Sequence, residues 1–397
     1  MTGCPPVDAP PVDVVCLGES MVTFLPSRPG RLADAPSFAR AIGGAESNVA
    51  CALAAAGHRA KWVSRVGADG FGDHLVETIA AYGVDVSAVG RDADRPTGIY
   101  FRTATDRATA AHEVAYYRAG SAASAMSPAT VPYDSVADGR VLHLSGITAA
   151  LSDDCLGLMR ELTAPRAGRP VVSFDVNFRA GLWRDGSGPR VLLELARGAD
   201  LVFVGEDEAE EAWGVMGPEA VRGALPEPDV LVVKQGGRGA VVFERCAGFS
   251  ARPAFEDAAA VPLRPADAGG PPTGSGAEPQ SREGAGRGEA PRSGPHAPAP
   301  DTVTFVAAPT VDVVAPVGAG DAFAAGFLSG TLRGLGVRAR IRHGHLMAAA
   351  ALTVPGDLGA PARTAHADRL VALDDEGWGR LHLGPGWTGE DQEVRTS

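Results

Sequence analysis

The chain reads as an α/β protein, with a mostly parallel central sheet and a small β-sheet lid beside it. Three observations predict this. Short β-branched runs alternate with Ala- and Leu-rich stretches of helical length, the rhythm of βαβ units. The strand runs end on Gly, Asn, Asp or Lys, at the carboxyl ends where open α/β sheets gather their ligands. The segment 97–118 breaks the rhythm with the alternation of a hairpin.

In order, strands are expected over 12–17, 60–66, 141–145, 171–176, 201–204, 230–234 and 240–243, with helices over 47–56, 71–82, 153–163, 206–213 and 319–332. The lid is assembled from about 20–42, with strands near 22–25 and 37–41, and from the hairpin 97–118, which turns near 105–107. Such lids often cover ligand sites. Residues 251–300 hold 10 Pro, 8 Gly and 12 Ala, with Phe255 as the one aromatic, so they cannot bury enough apolar surface to offset the entropy of ordering. They read as a disordered insertion in a hairpin joining 240–243 to 302–306. One large domain then spans 12–250 and 301–373, and the polar, Gly-rich stretch 374–397 reads as a loose tail.

Composition removes several classes. A length of 397 residues can bury a large core, and 36 basic against 48 acidic side chains give a net charge of −12. Without a basic block the chain is no nucleic-acid or anionic-membrane binder. Five scattered cysteines form no CxxC pair and read as reduced thiols. No apolar run reaches the roughly 20 residues needed to span a bilayer, and MTGCPPVDAPPVD has no signal-peptide core, so a cytoplasmic protein is expected. His343 and His345 are two apart in an expected helix, hence on different faces, and do not read as a metal pair.

The strongest chemical signal is Gly318-Ala319-Gly320-Asp321 opening an apolar helix. Its glycines let successive N–H groups converge on an anion at the positive helix end. A carboxylate there would repel a phosphate, unless Asp321 takes a proton from a hydroxyl attacking that phosphate; otherwise it is an N-cap. Gly43 and the run Gly44-Ala45-Glu46-Ser47-Asn48 open another helix, either as a glycine turn capped by Ser47 or as a site where Asn48 meets a polyol hydroxyl. Tyr116-Tyr117-Arg118 ends the lid hairpin, and Arg118 is either a solvated edge charge or the fork that receives a small acid. Asn177 and Arg179 leave one strand end, and Lys234-Gln235-Gly236-Gly237-Arg238-Gly239 leaves another as a glycine turn able to approach a nucleotide. Glu206-Asp207-Glu208 is either a solvated helix start or an orienting group for hydrated Mg²⁺.

Together and in this order, these motifs resemble the ribokinase-like (PfkB-type) family of carbohydrate kinases over about 12–357. Within it the sequence looks most like the 2-keto-3-deoxygluconate kinases, through GGAESN, TGIY, YYR with the Gly-Ser-Ala that follows, DVNFRAGLW and VPGD. The resemblance implies a ribokinase-like three-layer α/β/α domain with a β lid that often mediates dimers. It also implies transfer of the γ-phosphate of ATP, with Mg²⁺, to a hydroxyl of a small sugar or sugar acid. It makes Asp321 the base and Gly318, Ala319 and Gly320 the anion hole. It places Gly44, Ala45, Glu46, Ser47, Asn48, Tyr100, Tyr116, Tyr117, Arg118, Arg179 and Asp357 at the substrate. Asn177, Arg179 and Lys234 through Gly239 fall at the nucleotide, and Glu208 at the metal. Two departures stand out: Ala315 replaces an Asp tied to a monovalent-cation site, so potassium activation is not expected, and Gly205 replaces the Asn of the family's Asn-x-x-Glu motif. A neutral-sugar kinase such as a fructokinase, and a non-catalytic sugar-binding regulator, stay as alternatives.

Overall fold

The computed structural model describes residues 12–28, 30–103, 113–183, 185–245, 301–389 and 395–396. In chain order its first strands are β1 (Val12–Leu17), β2 (Met21–Pro26), β3 (Phe38–Gly43), β4 (Ala60–Gly67), β5 (Val89–Asp92), β6 (Ile99–Arg102), β7 (Val114–Tyr117) and β8 (Gly139–Ser145). They are followed by β9 (Val171–Asp175), β10 (Leu201–Gly205), β11 (Val230–Lys234), β12 (Gly239–Arg245), β13 (Asp301–Ala307), β14 (Thr310–Val311), β15 (Leu381–Leu383) and β16 (Arg395–Thr396). Nine of them form the central sheet in the order β13-β12-β11-β10-β9-β8-β1-β4-β5, parallel except at the β11-β12-β13 end.

The central strands are apolar on both sides because both sides are covered. Val14 and Cys16 of β1 join one core with Trp62, Phe203 and Phe327, while Val15 and Leu17 join the other with Phe174, Leu192 and Val233. The helices Ala45–Ala55, Ala319–Leu332 and Val337–Leu352 cover the first face. The helices Asp153–Thr163 and Gly188–Arg197 cover the second. Register then aligns polar strand ends: Ser145 pairs with Asp175 across β8 and β9, and Gly205 with Lys234 across β10 and β11.

The lid is a separate four-stranded sheet, β3-β2-β6-β7, built from the two segments expected, with Tyr100 opposite Tyr116 in the antiparallel β6-β7 pair. Its expected turn at 105–107 lies outside the described residues. The expected hairpin around the insertion is present, β12 pairing with β13 from Gly239↔Ala307 to Arg245↔Asp301. The insertion at 251–300 itself lies outside the described residues, as do Cys4 and Cys246; Cys16, Cys51 and Cys155 are buried and unpaired.

Two expectations need correction. The helix expected from Ser47 starts at Ala45, with Gly44 rather than Ser47 at its N-cap. The stretch after 374 is not a loose tail through residue 389. Asp374 caps the helix Asp375–Gly379 by accepting from the Gly377 N–H, and Trp378, Leu381, Leu383 and Trp387 are buried in the first core. Its polar, Gly-rich composition hid four large apolar side chains spaced to reach one surface. Among the described residues, no helix is long and apolar enough to cross a membrane.

Candidate active site

A cavity of about 560 Å³ opens between the carboxyl ends of the sheet and the lid. Its floor is the turn Pro316–Gly320 and the start of the helix Ala319–Leu332. Gly318 caps that helix with φ 75°, a left-handed conformation suited to glycine. Neither could it carry a side chain, because a Cβ would stand 2.2 Å from the Asp357 carbonyl oxygen. Around Gly320, by contrast, a Cβ would meet only Lys234 Nζ, at 3.5 Å, so the space over the first helical turn is open. Free N–H groups at such a terminus form an anion site.

Asp321 sits in the first turn, where its Oδ2 accepts from Asn48 Nδ2 at 2.9 Å. Burial pushes its carboxyl up to about 7, with the charge of Asp175 adding to the rise and the Asn48 hydrogen bond opposing it. The charges lining the cavity pair one to one. Asp175 accepts from Lys234 at 2.8 Å, Glu208 from Arg179 at 3.1 Å, Asp357 from Arg102 at 2.5 Å, and Glu19 pairs with Arg118. Asp321 is the one cavity carboxylate without an ion-pair partner among the described residues. Burial works against the charge on Lys234, but Asp175, Glu208 and Asp321 together hold its pKa above the ordinary lysine value.

On the lid side, Tyr100, Arg102, Tyr116 and Arg118 line the cavity, and the two tyrosine rings lie 5.5 Å apart. Gly43 is glycine because Tyr100 Oη would stand 2.2 Å from its Cβ. At the sheet end, Asn177 adopts φ 42°, an uncommon conformation for a residue with a side chain, and such strain clusters at functional sites. Its Oδ1 and that of Asn48 are buried without a hydrogen-bond partner, which suits groups waiting for a ligand.

The cavity thus brings together Gly44, Ala45, Asn48, Tyr100, Tyr116, Arg118, Asn177, Arg179, Glu208, Lys234, Gly318, Ala319, Gly320, Asp321 and Asp357. It leaves out eight expected residues, each for a visible reason. Glu46 is fully buried behind the floor, where Oε1 accepts from Ser145 and Thr148, and it fills the space left by Gly18. Ser47 bonds Ser20 and the Gly44 carbonyl. Tyr117 points to the opposite face of the lid, 65 % exposed, because neighbouring strand residues alternate. Gln235 and Arg238 turn to Glu206, while Gly236, Gly237 and Gly239 shape the β11-β12 connection without lining the cavity. Arg118, expected either as a solvated edge charge or as the fork for a small acid, is mostly buried in the cavity wall and paired with Glu19.

Residues that sequence reasoning passed over include Glu19, Arg102, Pro316 and Val317, whereas Asp175 was expected at its strand end with Asn177 and Arg179 and lines the cavity there. A signal existed for Arg102, two positions from Tyr100 on the same strand and hence on the same face. None existed for Glu19, whose role rests on a partner 99 residues away.

The pattern of the pfkB family carbohydrate kinases matches residues 12–259 and 299–363. The chain is 31 % identical over 371 residues to a 2-dehydro-3-deoxygluconokinase of Bacillus subtilis, covering 91 % of this chain and 96 % of that one. It is 33 % identical over 269 residues to a 2-dehydro-3-deoxygluconokinase of Thermoproteus tenax, covering 67 % and 78 %. In fold it is similar to a putative ribokinase of Escherichia coli solved with ATP and Mg²⁺, with a TM-score of 0.68 and 21 % identity over 90 % of this chain and 98 % of that one. A lid over the carboxyl ends of a parallel sheet, a glycine turn at a helix start and these matches lead to one conclusion: the chain belongs to the PfkB family of carbohydrate kinases, ATP-dependent phosphotransferases acting on sugar hydroxyls.

Proposed function

We propose that the enzyme phosphorylates 2-keto-3-deoxygluconate on its terminal hydroxyl, with Asp321 as base and the N–H groups of Gly318, Ala319 and Gly320 receiving the transferring phosphoryl group. The observation that carries the chemistry is the charge pairing. Each other carboxylate at the cavity is neutralised by a cation, leaving Asp321 free to take a proton. A carboxyl held up to about 7 is matched to that task near neutral pH.

The sugar-acid reading rests on the two named relatives and on Arg118 of the lid. An arginine carries five N–H donors, so Arg118 held by Glu19 at Nη2 keeps others for a ligand carboxylate. The internal acid fixes its orientation in advance, which lowers the entropy lost on binding. Asn48 and Asn177 offer their unpartnered amide oxygens to ligand hydroxyls or water.

ATP supplies the phosphoryl group. Mg²⁺ needs only one or two carboxylates, with water and phosphate oxygens completing its octahedron. Glu208 fits that demand. One of its oxygens accepts the Gly205 N–H and the other faces Arg179, which is 56 % exposed in its side chain and free to swing toward phosphate. Lys234, held by Asp175 beneath Gly320, adds positive charge under the anion turn. A cytoplasmic enzyme, dimeric through the lid, completes the reading. The outer lid face carries stacked Phe24 and Phe101, 4.9 Å apart, with Phe38 and Tyr117 against them.

The test is ATP-dependent ADP release by the purified protein with 2-keto-3-deoxygluconate, fructose and ribose side by side. Preference for the keto acid is expected. Preference for fructose would keep the base and discard the acid, giving a neutral-sugar kinase.

A further inference from the structure

Asp357 touches two parts of the site at once, the anion turn and the lid. Its carbonyl oxygen lies 2.2 Å from where a Cβ on Gly318 would stand, so the backbone at Asp357 packs directly on the anion turn. Its carboxylate reaches the other way, to the lid, accepting from Tyr100 Oη at 3.1 Å and Arg102 Nη2 at 2.5 Å. Tyr100 and Arg102 are i and i+2 on β6 and point to the same side. Both members of the ion pair are buried, with side chains 6 % exposed. The lid contributes no strand to the central sheet, so this pair is a short tie between lid and catalytic turn that bypasses the sheet.

We infer that Arg102 is a positioning residue, which through Asp357 sets the height of the lid over the anion turn and thereby the distance between acceptor hydroxyl and Asp321. The inference builds on the reading that the cavity takes the acceptor sugar. Arg102 itself does no chemistry: its Nη2 is committed to Asp357, and its Nε is buried away from solvent without a partner. Removing one partner leaves the other as a buried uncompensated charge, whereas removing both charges restores neutrality. The coupling between the two positions is therefore large and measurable.

The test compares Arg102→Gln, Arg102→Lys, Asp357→Asn and the double variant Arg102→Gln/Asp357→Asn with the wild type. Hydrogen exchange in the ligand-free proteins comes first, since it needs no substrate. Arg102→Gln is expected to raise exchange both in β6 and in the turn 316–320, which are far apart in sequence. A rise in β6 alone, or in neither, overturns the inference whatever the enzyme phosphorylates. Kinetics follow on whichever acceptor the wild type turns over best. Arg102→Gln should raise the acceptor KM about tenfold and leave the ATP KM within about twofold, with Arg102→Lys recovering most of the loss. The double variant should lose no more than the worse single one. Multiplying losses, or equal damage to both KM values, contradict a positioning role. If Arg102→Gln does not fold, the Lys and double variants carry the comparison. Absence of turnover on every acceptor would count against the proposed function alone, because the exchange result stands apart from it.

Discussion

The sheet and the lid meet across one cavity but hold their functional groups in opposite ways. In the nine-stranded sheet the strands are buried on both faces, and the cavity-lining groups stand at their carboxyl ends, where Asp175 and Lys234 are pinned by parallel register. The lid is one layer. One side carries aromatic rings, and the other faces the cavity with Tyr100, Arg102, Tyr116 and Arg118. Groups on the sheet stand at the ends of strands buried on both faces, while the lid arginines Arg102 and Arg118 are each held by one acid, Asp357 and Glu19. The division suggests that rigid sheet ends perform the chemistry and the lid selects the acceptor.

The sharpest way to break that division is at the floor. Asp321→Asn should lower kcat about a thousandfold for every acceptor while leaving acceptor affinity nearly intact, since the amide keeps the shape and loses the base. Steady-state ADP release with acceptor titration reads both, and a comparable loss of binding would remove Asp321 from the role of base. Gly318→Ala comes next, because φ 75° and the nearby Asp357 carbonyl leave no room for the methyl. A drop in kcat of about a hundredfold is expected, with a lower melting temperature. On the lid, Arg118→Ala should raise KM for an acidic acceptor about tenfold or more and leave a neutral sugar unaffected.

Smaller effects follow from protonation. The folded carboxyl of Asp321 lies at about 7 and its ordinary value is 3.8, so between these the folded state holds the extra proton. Stability contributed by this group is present at low pH and is lost as pH rises from about 4 to about 7, a slope that Asp321→Asn should remove from a series of urea melts. Activity runs the other way, rising with pH through about 7 as the base is freed. Asn48→Ala takes away a hydrogen bond that favours the charged form, so its acid limb should move to higher pH. Tyr117→Ala, on the far side of the lid, should change neither kcat nor KM by more than about twofold.

Much of this architecture was readable from local signals. β-branched runs marked seven strands of the central sheet, and the glycine turn at Gly318 to Asp321 marked the floor, because both depend on neighbours in sequence. The parts that were not legible depend on distant partners. That Arg118 is paired with Glu19, two residues past β1, could not be seen in the sequence. The turn from Gln235 to Gly239 builds the β11-β12 hairpin, as its glycines led one to expect, but that Gln235 and Arg238 reach Glu206, 29 and 32 residues away, was not legible in it. Glu46 carried the chemistry of an acid in a glycine motif, but helical geometry points it into the core, toward Ser145 and Thr148. Trp378 and Trp387 show the same limit at the C-terminal end, where composition suggested looseness and packing shows burial.

The most direct measurement is the ratio of kcat/KM for 2-keto-3-deoxygluconate to that for fructose, in the wild type and in Arg118→Ala. A lid that selects and a floor that reacts predict a large ratio in the wild type, collapsing in the variant while kcat on fructose stays the same. An unchanged ratio, or a loss of kcat on both acceptors, would contradict the division of labour between lid and sheet.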